Sequence, residues 1–178
     1  MKILKQIDKL ITAINFFLFK VGAVFTFGLV IFMFWSVIAR YLFNSSNAWF
    51  DELLWHIFGF SFILASAYTL NQDGHVRVDI FYQKYSRKTK AWVDIFGVLL
   101  FLLPITILIT YHGYFYALES FQSKEISGNP GGLPYRWIIK STIPIGFFFL
   151  SFQGISHLIK QIIILKEPAN SSSDQKPE

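Results

Sequence analysis

Four histidines are the side chains best suited to bind a metal or a cofactor, because the 178 residues include no cysteine. By the membrane topology derived below, His56 and His112 lie near the outer side, and His75 and His157 lie near the inner side. Two such pairs could hold two b-type haems, because axial histidines must meet at the same depth. Only His56 lies clearly inside an apolar segment, and histidines at segment ends are common. A haem-bearing membrane anchor of a respiratory enzyme is therefore the alternative interpretation.

Charged residues at the outer side form a second group of candidates. Lys140 lies inside the last apolar segment, about one turn below Trp137. It either extends its amine to the interface or pairs with a carboxylate on another helix or subunit, and Asp51 and Glu52 are candidate partners at a similar depth. Arg40 and Glu52 face the same interface. They can form a local ion pair or stand there as two separate interfacial charges.

A catalytic site is not predicted by any pattern in the sequence. We find no glycine-rich phosphate loop, no nucleophile with a neighbouring base, no HExxH motif and no carboxylate cluster suited to a metal. We therefore expect a protein that is not an enzyme and that holds no cofactor. A role in binding partners remains, and an autonomous small channel is a weaker third interpretation.

The candidate residues lie within or next to long apolar segments. The chain is 53% hydrophobic and only 15% charged, and it contains 21 Phe. Its apolar residues form blocks of about 20, the length that spans a bilayer core. The sequence therefore predicts an all-α integral membrane protein with four transmembrane helices. The predicted spans are residues 16–39, 49–70, 92–111 and 137–157.

Shorter segments complete the predicted domain, which covers residues 1–166. Residues 1–15 and 80–90 have the spacing of amphipathic helices that lie at the membrane interface. Pro104 falls within the third span and is expected to kink it. The polar residues 167–178 predict a disordered tail. The Gly- and Pro-containing run at 127–134, within the loop at 112–136, predicts a rigid non-helical turn.

Basic residues predict the orientation of the chain. Residues 1–20 hold four Lys and Arg, residues 71–91 hold five, and residues 157–178 hold three. The opposite connectors hold one at residues 40–52 and two at residues 112–136. Because basic residues concentrate in cytoplasmic loops, both termini and the central connector are predicted to be cytoplasmic.

Several short motifs, in order along nearly the whole chain, resemble those of one known family. This is the small membrane subunit, the Q-type or DctQ-like component, of tripartite ATP-independent periplasmic (TRAP) transporters. The motifs are Arg40-Tyr41-Leu42-Phe43-Asn44, Trp49 with Glu52-Leu53, His75-Val76-Arg77-Val78-Asp79, Leu133-Pro134 before Trp137, and Pro144-Ile145-Gly146.

The resemblance implies a role in transport in the bacterial inner membrane. In this family a large membrane subunit carries the substrate and sodium sites, and a periplasmic binding protein delivers an organic acid. The small subunit then widens the static scaffold against which the large subunit moves as an elevator. By this implication the chain binds membrane lipids and protein partners, and it binds neither nucleic acid nor substrate. The candidate interface residues are Arg40, Trp49, Glu52, His75, Arg77, Asp79 and Lys140.

Overall fold

The computed structural model describes residues 2–72, 82 and 85–166, with side chains from residue 6 onward, and all its regular elements in these ranges are helices. Four of them are long and apolar enough to cross a membrane: Gln6–Leu42, Ala48–Asn71, Arg87–Gln122 and Trp137–Lys166. The prediction of an all-α chain with four such helices is confirmed. The elements are α1 (Lys2–Leu42), α2 (Ala48–Asn71), α3 (Arg87–Gly97), a π-helical segment (Val98–Leu102), α4 (Leu103–Gln122) and α5 (Trp137–Lys166).

The first helix is continuous across residue 16, where the sequence predicted that an interfacial helix would end and a span would begin. α1 has no break near Phe16, because residues 2–21 contain neither Gly nor Pro to end it. It ends at Leu42, where Asn44 adopts a left-handed conformation with φ of 51°. Asn is one of the few residues that enters this conformation readily, so this motif explains the end of the helix.

The third apolar segment is longer and less regular than expected. Ser86 caps α3 by accepting a hydrogen bond from the Thr89 amide at 3.2 Å. The π-helical segment lies directly before Pro104, which lacks an N–H and would clash with a carbonyl one turn earlier in a regular helix. The irregularity thus falls where a kink was predicted. α4 then continues to Gln122, so residues 112–122 are helical and only the later part of the predicted loop is irregular.

The last helix is the centre of the bundle, because α5 packs against α1, α2, α3 and α4. Two glycines allow this close packing. A Cβ at Gly146 would lie 1.8 Å from Ile63 Cγ2, and one at Gly154 would lie 2.5 Å from Leu102 Cδ2. α5 also places Ser156 against Asp8, so the start of α1 and the end of α5 lie at the same end of the bundle.

We call that end the terminal end, and we call the opposite end, which carries residues 43–47 and 123–136, the loop end. Which end faces the cytoplasm stays a prediction. Residues 73–81, which include His75, Arg77 and Asp79, and the predicted tail at 167–178 lie outside the described residues. Of the predicted interfacial segment at 80–90, residues 82 and 85–90 are described, and α3 begins within it at Arg87.

Candidate functional site

Glu52 holds the loop at the loop end of the bundle. Its carboxylate, near the start of α2, accepts hydrogen bonds from the Ser127 hydroxyl, from Asn129 Nδ2 at 2.7 Å and from the Leu133 amide at 2.8 Å. The loop also closes on itself, because the Ser127 amide donates to the Leu133 carbonyl at 3.1 Å. Residues 127–134 are non-helical, as predicted. One carboxylate thus connects α2 to a segment more than 70 residues further along the chain.

Lys140 pairs with the carboxylate of Glu125 rather than with Asp51 or Glu52, the partners that were expected. Its amine donates a hydrogen bond to Glu125 and lies 3.9 Å from the centre of the Tyr116 ring. Glu52 is occupied by the loop, and the extra turns of α4 bring Glu125 next to α5. The hydrogen bond from Lys140 is the main cause that lowers the pKa of Glu125, and the nearby Arg136 guanidinium contributes. Lys140 therefore fixes the start of α5 to the end of α4.

Arg40 pairs with Asp51 rather than with Glu52, the partner that was expected. Its guanidinium donates to Asp51 Oδ2 at 2.9 Å, and Ser36 donates to the other oxygen of this carboxylate at 3.2 Å. Successive residues on a helix point about 100° apart, so Asp51 faces α1 while Glu52 faces the loop. The side chains of Arg40 and Asp51 are 53% and 40% exposed. This exposed pair connects α1 to α2 across their short turn.

Trp49 completes the set of predicted residues that the structure describes. Its ring is 44% exposed and meets Phe50 edge to face, with ring centres 5.4 Å apart. Arg40, Trp49, Glu52 and Lys140 thus all lie at the loop end, although each charged residue has a partner other than the one that was expected first.

The terminal end contains a buried amide network that was not predicted. Asn15 Nδ2 donates to Gln153 Oε1 at 2.7 Å, and Gln153 Nε2 donates to Asn71 Oδ1 at 3.3 Å. Gln153 is 0% exposed and Asn15 is 1% exposed. These two bonds join α1, α5 and α2 through side chains that carry no charge. The available signal was Gln153, which lies within the last predicted span, where a polar side chain needs a partner, whereas Asn15 lies just before the first predicted span.

Charged groups surround this network at the terminal end. Lys160 donates to Asn71 and lies 3.5 Å from Asp8, which also accepts a hydrogen bond from Ser156. The described helices that meet here are therefore joined by a layer of amides and a layer of charges.

The three histidines that the structure describes give no support to the haem sites of the alternative interpretation, and His75 lies outside the described residues. His157 lies 3.6 Å from Asp94 and bonds Gln161 at 3.1 Å, and Asp94 also accepts a hydrogen bond from Tyr82. His112 is exposed on α4, and His56 is partly buried on α2. Within residues 2–72, 82 and 85–166, no group of three or more His, Asp or Glu could hold a metal ion. The haem interpretation has no support.

Comparison with known proteins agrees with the arrangement of motifs. The model of the family described as "Tripartite ATP-independent periplasmic transporters, DctQ component" matches residues 29–163, which is more than half of the chain. A comparison with individual curated proteins finds no match. The matched range contains the Arg40–Asp51 pair, the loop held by Glu52 and the Lys140–Glu125 pair.

Proposed function

We propose a scaffolding role for this chain, which belongs to the DctQ component family of tripartite ATP-independent periplasmic transporters and is therefore a small membrane subunit of such a transporter. Such a transporter also has a large membrane subunit and a periplasmic binding protein. In our proposal the chain braces the large subunit in the bacterial inner membrane and binds no substrate itself. The complex takes up an organic acid, delivered by the binding protein, together with sodium.

The observation that carries the scaffolding proposal is that four polar side chains of the described helices are used to join parts of the same chain. Glu52, Lys140, Asn15 and Gln153 each bond a different helix or loop of the same chain. They join the helices at both ends of the bundle. Polar groups of a transport pathway must instead remain available to a passing ion or substrate. A subunit whose helices are joined in this way is suited to act as a static support.

The loop end is where we expect the binding protein to approach. The predicted orientation places this end on the periplasmic side, and Glu52 holds the loop at 127–134 in a single shape. A loop fixed in advance loses less conformational freedom when a partner binds. Arg40, Trp49 and Lys140 surround this region and remain candidates for the interface.

Reconstitution tests the proposed role directly. The large subunit would be reconstituted into liposomes with and without this chain. The binding protein would be added outside, and uptake driven by a sodium gradient would be measured. We expect co-purification of the chain with the large subunit, uptake only when both are present, and no flux through the chain alone. A large subunit that transports at the full rate without this chain would refute the scaffolding role.

We also propose that the stretch at residues 71–79 contacts the large subunit. His75, Arg77 and Asp79 carry one of the family motifs in a connector predicted to be cytoplasmic. We expect Arg77→Ala and Asp79→Ala to reduce recovery of the large subunit with the tagged chain. The affinity of the binding protein for its substrate is expected to stay unchanged. If both variants assemble and transport normally, the stretch serves only to fix the topology.

A further inference from the structure

The outward surface of α4 carries polar side chains at a depth where lipid offers them nothing to bond. Tyr111 and Tyr114 are 61% and 57% exposed, and His112 between them is exposed as well. The structure gives these three side chains no hydrogen-bond partner among residues 2–72, 82 and 85–166. Glu119, also exposed, follows His112 by seven positions and therefore lies on the same face.

The aromatic residues at the ends of the helix locate this surface in the membrane. Trp92 lies near one end, and Phe121 packs against Trp137 at the other, with ring centres 5.3 Å apart. Trp92 and Phe121 are 29 positions apart in the sequence, or about 43 Å along a helix, which matches a bilayer with its headgroup layers. His112 is nine positions from Phe121, or about 13 Å. It therefore lies within the hydrocarbon core, which is about 30 Å thick.

Hydrocarbon is an unfavourable environment for these groups. An imidazole or phenol that leaves water for lipid without a hydrogen-bond partner loses a large amount of solvation free energy. Ionisable residues inside membranes almost always face protein or a water-filled cavity. An acyl chain has no donor or acceptor to offer His112.

The outward face of α1 provides an internal comparison. Val24, Phe27, Val30 and Phe34 are between 63% and 71% exposed, and all are apolar. Between residues 21 and 37, two exposed side chains carry a polar atom: Thr26, whose hydroxyl donates to the Gly22 carbonyl at 2.9 Å within the helix, and Trp35, which is 55% exposed. The face of α1 is therefore almost wholly apolar, whereas the face of α4 carries an imidazole and two phenols close together.

A largely apolar groove lies beside this face. It has a volume of about 850 Å³ and runs between α4 and α5. Tyr111 and Tyr114 form one wall, and Trp137, Pro144 and Phe148 line the other side. Helices pack by placing side-chain ridges into grooves of this kind.

We propose that the outward surface of α4, made of Tyr111, His112, Tyr114, Phe115 and Glu119 with the adjoining groove, binds a transmembrane helix of the large subunit. The proposal rests on the scaffolding role, and it names the helix that carries the interface. The partner helix supplies hydrogen-bonding groups to His112 and the two tyrosines. The outward face of α1 remains in contact with lipid.

Photo-crosslinking in cells tests this assignment. A benzophenone amino acid would replace Phe115 on α4 or Phe27 on α1 in the full chain, which would be co-expressed with a tagged large subunit. Both rings are exposed, Phe115 at 48% and Phe27 at 70%, so the control position is the more accessible of the two. We expect an adduct with the large subunit that is several-fold stronger from position 115 than from position 27. Equal adducts, or a stronger one from position 27, would overturn the assignment.

A second arm separates the other possible occupants of the surface. An adduct with twice the mass of this chain from position 115 would identify a second copy and contradict the proposal. An adduct with lipid alone at this position, while the complex still co-purifies, would also contradict it but would leave the scaffolding role intact. Failure of the two subunits to co-purify at all would refute the scaffolding role itself.

Substitution of His112 gives a readout that does not depend on the probe. We expect His112→Leu to reduce recovery of the large subunit several-fold and His112→Gln, which keeps hydrogen-bonding groups, to restore much of it. Phe34→Leu on α1 is the matched control and should leave recovery unchanged. If His112→Leu leaves recovery unchanged, His112 faces lipid and the proposed surface is wrong.

Discussion

The two ends of the bundle are held together by different kinds of bond. At the loop end, carboxylates do the joining: Asp51 binds Arg40, Glu52 binds the loop, and Glu125 binds Lys140. At the terminal end, the innermost bonds are between neutral amides, Asn15 with Gln153 and Gln153 with Asn71.

This difference follows from the access of water to each site. Arg40 and Asp51 at the loop end are about half exposed, so their charges stay solvated and contribute little to net stability. Gln153 is fully buried, where a charge would be very costly and an unpaired amide also costs free energy. The buried amides should therefore contribute more to the stability of the bundle than the exposed Arg40–Asp51 pair.

The largest expected effect follows from removing the central amide. Gln153→Leu leaves the buried Asn15 Nδ2 without its acceptor and removes one of the two donors to Asn71 Oδ1, which keeps its bond from Lys160. We expect a loss of about 1–3 kcal/mol in the free energy of unfolding, towards the lower value because bonds between membrane helices are weak on average. Unfolding of the purified subunit in mixed detergent micelles would measure it.

A double substitution separates the hydrogen bond from simple changes in packing. Asn15→Leu with Gln153→Leu removes both partners of their bond, and it should cost less than the sum of the two single substitutions. Strictly additive costs would show that the two amides do not interact.

A loss of local order, with little change in global stability, is expected for Glu52→Gln. The amide cannot replace all the acceptor sites that the carboxylate offers to Ser127, Asn129 and Leu133. Amide hydrogen exchange should become faster within residues 123–136 and stay unchanged at residues 150–157 of α5. Asp51→Asn is the matched control, because this neighbour makes no recorded bond to the loop. Faster exchange throughout the chain would contradict the separation of the two ends.

The number of transmembrane helices could be predicted from the sequence, but the ends of the helices could not. Apolar blocks of about 20 residues identify spans because of the thickness of the bilayer. A change in polarity along the chain does not by itself mark the end of a helix. α1 therefore includes the amphipathic residues before Phe16, and α4 continues past His112 to Gln122.

The partners of the candidate residues were harder to predict than their location. Arg40, Glu52 and Lys140 were correctly assigned to one side of the bundle from their positions at the ends of spans. Their partners depend on helix rotation, which separates Asp51 from Glu52, and on the path of the loop that carries Glu125. Neither can be read from spacing along one helix. Gln153 was visible as a polar residue in an apolar segment, but its distance from Asn15 could not be read from the sequence.

Acid should weaken the contact between Lys140 and Glu125 at the loop end. The Lys140 hydrogen bond lowers the pKa of Glu125 below its ordinary value of 4.5, so its stabilising effect is present above pH 4.5 and is lost as the pH falls through the lower folded-state pKa. The bond between Asn15 and Gln153 does not titrate. We expect the protection factors of residues 123–136 to fall below pH 4.5 in the wild type. In Glu125→Gln they should already be lower at neutral pH and depend less on pH.

The smallest effect is expected for the exposed pair, and it gives the sharpest test of the comparison. Arg40→Met removes the Asp51 partner but keeps an apolar stem, and exposed ion pairs contribute only about 0.2–1 kcal/mol. The isolated subunit should therefore unfold almost as the wild type does, and the difference should shrink further in 0.5–1 M salt, where surface charges are strongly screened. A loss as large as that of Gln153→Leu would contradict the comparison, because an exposed charge pair would then determine stability as strongly as a buried amide. If stability is unchanged while recovery of the large subunit falls, Arg40 contributes to the interface between subunits rather than to the fold.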